Sequence, residues 1–254
     1  MKLTRFVHNS IAKYGMIDHG KVYPLAGTIF QKPIREGIGF PLEEVRLLSP
    51  VLPTKAVCIG LNYREHAGEL AMEAPDKPAF FMKPSSAVIG TGEAIVYPHE
   101  LVTQMDYEGE LAVVIRRRAR YIDAADAGYY ILGYTAANDI TARNLQPLKG
   151  QWMISKSFDT FLPVGPWIET KADPHALDMT VTVNGAVRQR ANTSEMIFSV
   201  PEVVSYLSKV MTLNPGDLIL MGTPSGVGEL FPGDVVTVEI EGIGCLRNHV
   251  VSEV

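Results

Sequence analysis

The stretch MDYEGELAVV, residues 105–114, carries Asp106, Glu108 and Glu110 at alternate positions and runs into an apolar segment ending at Ile115. Side chains alternate sides along an extended chain, so the three carboxylates are predicted to project from one face of a strand. Same-face neighbours stand about 6.5–7 Å apart, close enough for glutamates to converge. Ala112 and Val114 continue that face, which favours burial. Crowded carboxylates raise one another's pKa, so such a row suits either solvent or the surroundings of a cation. A hard divalent ion takes oxygen ligands and completes its shell with water or substrate oxygens. Spacing by itself leaves both readings open, the solvated edge and the metal site.

Working outward from this strand, the pattern is β-dominated with a few helices. KLTRFVHN and AKYGMID alternate, and KAVCIGLNY is a buried strand. DMTVTVNGAVRQ is a hairpin with Asn184-Gly185 at its tip. SVPEVVSYLSKVM is a helix capped by Ser199, with Val200, Val203, Val204, Leu207 and Val210 on one stripe. REHAGELAME has helical character up to Pro75. NPGDLILMG and FPGDVVTVEIEG each read as a turn entering a strand. The two prolines in LLSPVLPTK mark a boundary, giving a small β domain over residues 1–52 and a main domain over 53–254. The fold class is mixed β with a few helices, α+β.

Bulk properties narrow the function. The 254 residues are 46% apolar and 20% charged with a net charge of −5, the profile of an ordinary globular chain and a poor match for nucleic acid. Arg116, Arg117 and Arg118 close an apolar strand and read as a solvated exit turn. Cys58 and Cys245 sit in apolar stretches and are expected to be buried, reduced thiols. No membrane segment or leader peptide is read, so a soluble, cytoplasmic protein is expected.

Further side chains could join the acidic row. Asp139 ends an apolar strand and is either a turn former or a third ligand; Arg143 and Gln146 follow it. In NYREHAGEL, His66 and Glu69 share a helix face at i, i+3, and a carboxylate bonded to imidazole suits it to activate water; an ordinary surface pair has the same spacing. Lys156 in SKSFDTF could stabilise a developing enolate. LMGTPSGVG lacks the lysine end of a phosphate loop, but Thr223 and the backbone amides there could hold a carboxylate.

The blocks GLNYREHAGE, FMKPSSAVIG, MDYEGELAVVI, GYTAANDITAR, SKSFDTFLPVGP and MGTPSGVG followed by PGD resemble, in order, the signature of the fumarylacetoacetate hydrolase family over residues 53–254. The resemblance implies a mixed β-sandwich roll with a small N-terminal domain, assembled as a homodimer. It implies Mg2+ or Mn2+ held by Glu108, Glu110 and Asp139, catalysis by His66, Glu69 and Lys156, and substrate contacts from Arg143, Gln146 and Thr223. Asp106 has a family counterpart but is not counted as a ligand. The chain departs from the longer hydrolases at GLNYREHA, where the loop is shorter and Asn62 replaces an acidic residue.

The implied reaction is hydrolysis of a C–C bond in a 2,4-dioxo acid such as an acylpyruvate or fumarylpyruvate, through a metal-stabilised enolate and a water activated by His66 and Glu69. The alternative is isomerisation or decarboxylation of a 2-hydroxy-dienedioate or oxaloacetate-like acid in aromatic catabolism. A non-enzyme alternative is a metal-stabilised domain that binds a small acid. The expected partner in each case is a small 2-oxo acid.

Overall fold

The computed structural model describes residues 1–69, 75–147 and 150–253, except the side chains of residues 66 and 67. Its centre is a long mixed sheet. From one edge the order runs Ile34–Arg35, Lys21–Ala26, Ile11–Asp18, Lys2–His8, Leu162–Glu169, Ile131–Asn138, Gly109–Ile115, Leu218–Leu220, Ala56–Ile59 and Phe80–Lys83. Leu218–Leu220 pairs antiparallel with Gly109–Ile115 and parallel with Ala56–Ile59, so the sheet is mixed at its middle. The first strand joins the sheet directly: Leu3 sits opposite Ile168, and the N-terminal residues continue the same hydrogen-bonded surface as the rest of the chain.

A five-stranded sheet, Ala94–Tyr97, Gly244–Ser252, Val235–Ile240, Asp178–Val183 and Ala186–Asn192, covers one face of the long sheet. The strand Gly109–Ile115 is buried along its whole length because both faces meet protein. Leu111, Val113 and Ile115 enter a core shared with Val181, Val238, Leu246 and the helix Val200–Val210. Ala112 and Val114 enter a second core with Leu3, Ala56, Cys58 and Leu220. Burying each large aliphatic side chain stabilises the fold by about 1.5–3 kcal/mol, so this strand is anchored from both faces.

Local signals produce the local structure. The hairpin Asp178–Val183 to Ala186–Asn192 turns on Asn184 and Gly185, whose φ values of 52° and 80° match the turn that Asn-Gly favours. The helix Val200–Val210 starts where the Ser199 N–H and hydroxyl both donate to Glu202 Oε2, at 2.8 and 2.7 Å. Its Val203, Val204 and Leu207 face the core. The helix read over REHAGELAME is described as Arg64–Glu69; residues 70–74 lie outside the description.

Two expectations are corrected. Cys245 is exposed, not buried, because Gly244–Ser252 is covered on one face only and its neighbour Leu246 takes the inward position. The acidic row also does not lie on one continuous strand. Met105–Tyr107 pairs with Thr141–Ala142 and Gly228–Glu229 in a separate three-stranded sheet, and the long-sheet strand begins only at Gly109. Glu108 is the joint. Its N–H donates to Asn138 Oδ1 at 2.9 Å, a side-chain bond in place of a ladder bond, while its carbonyl accepts from Asp139 N–H at 2.8 Å.

Candidate active site

At this joint Glu108 and Glu110 meet Asp139, which follows the neighbouring strand Ile131–Asn138. Asp106, Glu108 and Glu110 are 3%, 6% and 1% exposed, which rules out the solvated edge. Oxygen atoms of Glu108, Glu110 and Asp139 all lie within 4.8 Å of one another. Six donors about 2.1 Å from a divalent ion stand about 3 Å apart when adjacent and about 4.2 Å when opposite. Among three such donors at most one pair is opposite, so the carboxylates, now within 4.8 Å of one another, would draw together to about 3–4.2 Å to share one ion. With oxygen donors alone in the set, the chemistry fits Mg2+ or Mn2+ and not a soft metal.

Three long cations from distant segments meet this cluster. Lys156, at the end of the short helix Met153–Lys156, places Nζ 2.8 Å from Glu108 Oε2 and 2.8 Å from Asp139 Oδ2. Lys83 donates to Asp139 Oδ1 and, at 2.8 Å, to the Ile140 carbonyl. Arg143 donates from Nη2 to Glu108 Oε1 at 2.6 Å and from Nε to Asp106 Oδ2 at 2.8 Å. Asp106 is thus engaged by Arg143 and stands outside the three-carboxylate group.

These contacts split the glutamates. Burial would raise the Glu108 carboxyl, but Lys156 and Arg143 outweigh it and hold it down at about 2. Glu110 goes the other way: burial first, then the Asp139 and Glu108 charges, push its pKa well above the ordinary range. Its one hydrogen bond among the described residues comes from the Gly222 N–H, at 2.6 Å, not from a cation. Burial disfavours the Lys156 ammonium, yet the Asp139 and Glu108 carboxylates more than offset it and its pKa is raised. Lys156 is therefore a charged donor at working pH. The side chain is buried, 1% exposed, and paired with two carboxylates.

The loop after Leu218–Leu220 supplies the cluster's other wall. Gly222 has φ of +88°, and a Cβ there would lie 2.9 Å from Asn62 Cβ, so only glycine presents its N–H to Glu110 in this way. Thr223 is buried, and its hydroxyl donates to the Gly109 carbonyl at 3.0 Å while accepting from Gln189 Nε2 at 2.8 Å. That leaves the hydroxyl as an acceptor toward any further partner, a narrower capacity than the sequence suggests. Arg143 and Gln146 sit together at the partly open side, with Arg143 Nη1 donating to Gln146 Oε1. Glu69 is exposed and accepts from the Gly226 N–H at 3.2 Å, tying the helix Arg64–Glu69 to this same loop. The His66 side chain lies outside the described residues.

Several residues in this arrangement escape a sequence reading. Lys83 is one, although a lysine inside the apolar run AFFMKP is a signal, since a charge in a buried strand needs a partner. Asn138 and Gln189 are others, and nothing local marks them. Gln189 bonds the Gly109 N–H at 3.0 Å and spans from the second sheet to the acidic strand.

Comparison with known proteins extends this picture. Residues 55–251 match the family model described as Fumarylacetoacetate (FAA) hydrolase C-terminal, and residues 1–50 match one described as Rv2993c-like, N-terminal. The chain is 44% identical over 224 residues to the mitochondrial oxaloacetate tautomerase FAHD2A of Bos taurus, a match covering 83% of this chain and 71% of the relative. A solved 2-hydroxyhepta-2,4-diene-1,7-dioate isomerase from Mycobacterium marinum superposes with TM-score 0.93 at 43% identity, covering 100% of this chain and 99% of the other. A fumarylacetoacetate hydrolase from psychrophilic Exiguobacterium antarcticum superposes with TM-score 0.90 at 34% identity over 100% of both chains. No helix among the described residues is long and apolar enough to cross a membrane.

Proposed function

The chain belongs to the fumarylacetoacetate hydrolase family, and we propose from this that it is a divalent-metal-dependent enzyme that moves a proton at C3 of a small 2-oxo acid. The substrates are oxaloacetate-like acids or 2-hydroxy-dienedioates, and the reaction is tautomerisation or isomerisation. The observation that carries this reading is the buried cluster of Glu108, Glu110 and Asp139 with the Lys156 ammonium 2.8 Å from two of its members. The relatives that interconvert tautomers or double-bond isomers support it by their similarity.

A Mg2+ or Mn2+ ion held by Glu108, Glu110 and Asp139 supplies Lewis-acid polarisation of the 2-oxo group. Lys156, kept charged by its neighbours, turns its ammonium toward negative charge growing on the substrate oxygen. Lys83 holds Asp139 in position from behind. Arg143 and Gln146, on the open side, receive a substrate carboxylate, for which a planar guanidinium is well shaped. Thr223 accepts from a substrate hydroxyl.

A second reading is hydrolysis of the C–C bond of a 2,4-dioxo acid. It is favoured by the bond between Glu69 and the Gly226 N–H, which sets the helix bearing His66 against the Thr223 loop. There His66, oriented by Glu69, would take a proton from water.

The test is a panel of enol-oxaloacetate, a 2-hydroxy-dienedioate and an acylpyruvate, followed by ultraviolet absorbance with Mg2+ or Mn2+, using wild type, Glu108→Ala and His66→Ala. The first reading expects rapid tautomer or isomer conversion that Glu108→Ala abolishes and His66→Ala leaves largely intact. Acylpyruvate cleavage that His66→Ala abolishes establishes the second. Full activity of metal-free Glu108→Ala on any of them refutes both.

A further inference from the structure

Arg143 meets two carboxylates at once. Its Nε donates to Asp106 Oδ2 at 2.8 Å and its Nη2 to Glu108 Oε1 at 2.6 Å. An arginine beside one carboxylate tends to close on it with two parallel N–H bonds. Here that fork is divided, because Asp106 takes the Nε position and leaves Glu108 a single bond. Nη1 donates to Gln146 Oε1. A guanidinium carries five N–H groups, so among the described residues one N–H on each Nη is left without a partner. The side chain keeps 23% of its surface accessible.

Asp106 is placed as a fixed anchor. It occupies the middle strand of the three-stranded sheet, opposite Thr141 on one side and Glu229 on the other. Its other oxygen, Oδ1, accepts from Gln104 Nε2 at 3.2 Å, and the Gln104 carbonyl accepts from the Arg143 N–H at 2.8 Å. One short segment thus holds Arg143 by its backbone and by its Nε. Glu108 differs from this anchor. It belongs to the group of oxygens that fits a divalent ion, and its second oxygen is already engaged by Lys156. Asp106 stands outside that group, so its buried charge is committed to the guanidinium.

We propose that Asp106 is a positioning residue: by holding Nε it keeps Arg143 from clamping Glu108 and leaves the two Nη ends for a carboxylate of the substrate. This rests on the reading of the cluster given above and adds the residue that makes Arg143 available to a ligand. Without the Asp106 acceptor, the fork turns onto Glu108. Its Nη groups are then withdrawn from the ligand, and a second bond to Glu108 competes with the ion.

The test is the calorimetric affinity of oxalate, a dicarboxylate, for Mn2+-saturated protein. The chains compared are wild type, Asp106→Ala, Asp106→Asn, Arg143→Lys and the double variant Asp106→Ala/Arg143→Lys. Asp106→Ala is expected to weaken oxalate by about tenfold to a hundredfold, the worth of a hydrogen bond to a charged group. Asp106→Asn keeps an acceptor oxygen and should recover most of that loss. On the Arg143→Lys background, Asp106→Ala should cost less than about twofold more, because a residue that acts only through Arg143 has nothing left to position. A loss that persists undiminished on that background overturns the inference, as does wild-type affinity in Asp106→Ala. A second measurement needs no Asp106 variant. The Arg143 Nε–H signal in 1H–15N spectra, assigned by its absence in Arg143→Lys, should remain slow to exchange with water when oxalate binds Mg2+-loaded protein. Fast exchange on oxalate binding also overturns the inference. Wild-type protein that binds oxalate but turns over no acid of the panel refutes the reaction proposed above and leaves the Asp106 comparison standing. Failure to bind oxalate refutes both.

Discussion

Lys156 Nζ stands 2.8 Å from Glu108 Oε2, inside the same group of oxygens that fits a divalent ion. A fixed ammonium and a bound metal cation would thus share a carboxylate. The lysine neutralises charge that would otherwise be buried unpaired, and it also repels the ion it helps to accommodate.

Replacing Lys156 with Met is therefore expected to act in opposite directions on two measurements. Removing the competing charge should tighten Mn2+ binding by about tenfold, a modest share of a close charge interaction. The loss of the ammonium should lower kcat by at least about a hundredfold, the usual scale for one electrostatic stabiliser. Titration calorimetry and steady-state kinetics on one preparation read both. Weaker Mn2+ binding by Lys156→Met would show that the lysine builds the site and does not compete for it.

The metal-free protein should lose stability in acid for a specific reason. Glu108 is held at about 2 in the folded chain against an ordinary 4.5. A carboxylate depressed by folding contributes stability above its unfolded pKa, and that contribution disappears as pH falls from about 4.5 through about 2. The loss should be a few kcal/mol at most. Urea denaturation across that window checks it, and Glu108→Gln should flatten the profile there.

Glu110 has the contrary behaviour. Burial and the neighbouring Asp139 and Glu108 charges favour its protonated form, so its contribution to stability weakens as pH rises from the ordinary carboxylate range. Metal binding must displace that proton. The observed heat of Mn2+ binding should accordingly vary with the ionisation enthalpy of the buffer, with the sign of proton release. Glu110→Gln should remove the variation together with most of the affinity.

The packing of the two sheets predicts a sensitive glycine. A Cβ on Gly109 would fall 2.3 Å from Val181 Cγ2, closer than any real contact. Gly109→Ala must push the five-stranded sheet away from the acidic strand, at about 1–3 kcal/mol for overpacking. It should also weaken Mn2+ binding, since Glu108 and Glu110 flank the displaced residue. Denaturation and calorimetry on this variant measure the two effects.

Much of the molecule follows from short windows of sequence. Asn184-Gly185 fixes a hairpin, Ser199 with Glu202 starts a helix, and Asp106, Glu108 and Glu110 announce a face of carboxylates. These are relations between residues one to four apart, so the chain specifies them before any long-range contact forms. The gathering of the acids was decided elsewhere. Asn138 stands 30 residues from Glu108 and Lys83 stands 56 from Asp139, yet one turns the strand and the other holds the third carboxylate. Gln189 reaches Gly109 across 80 residues, from a different sheet. A strand shows its alternation in its own sequence, whereas its neighbours in a sheet are set by pairings that close loops of any length. Local chemistry therefore named the donors, and only the closing of the sheets brought them within reach of one ion.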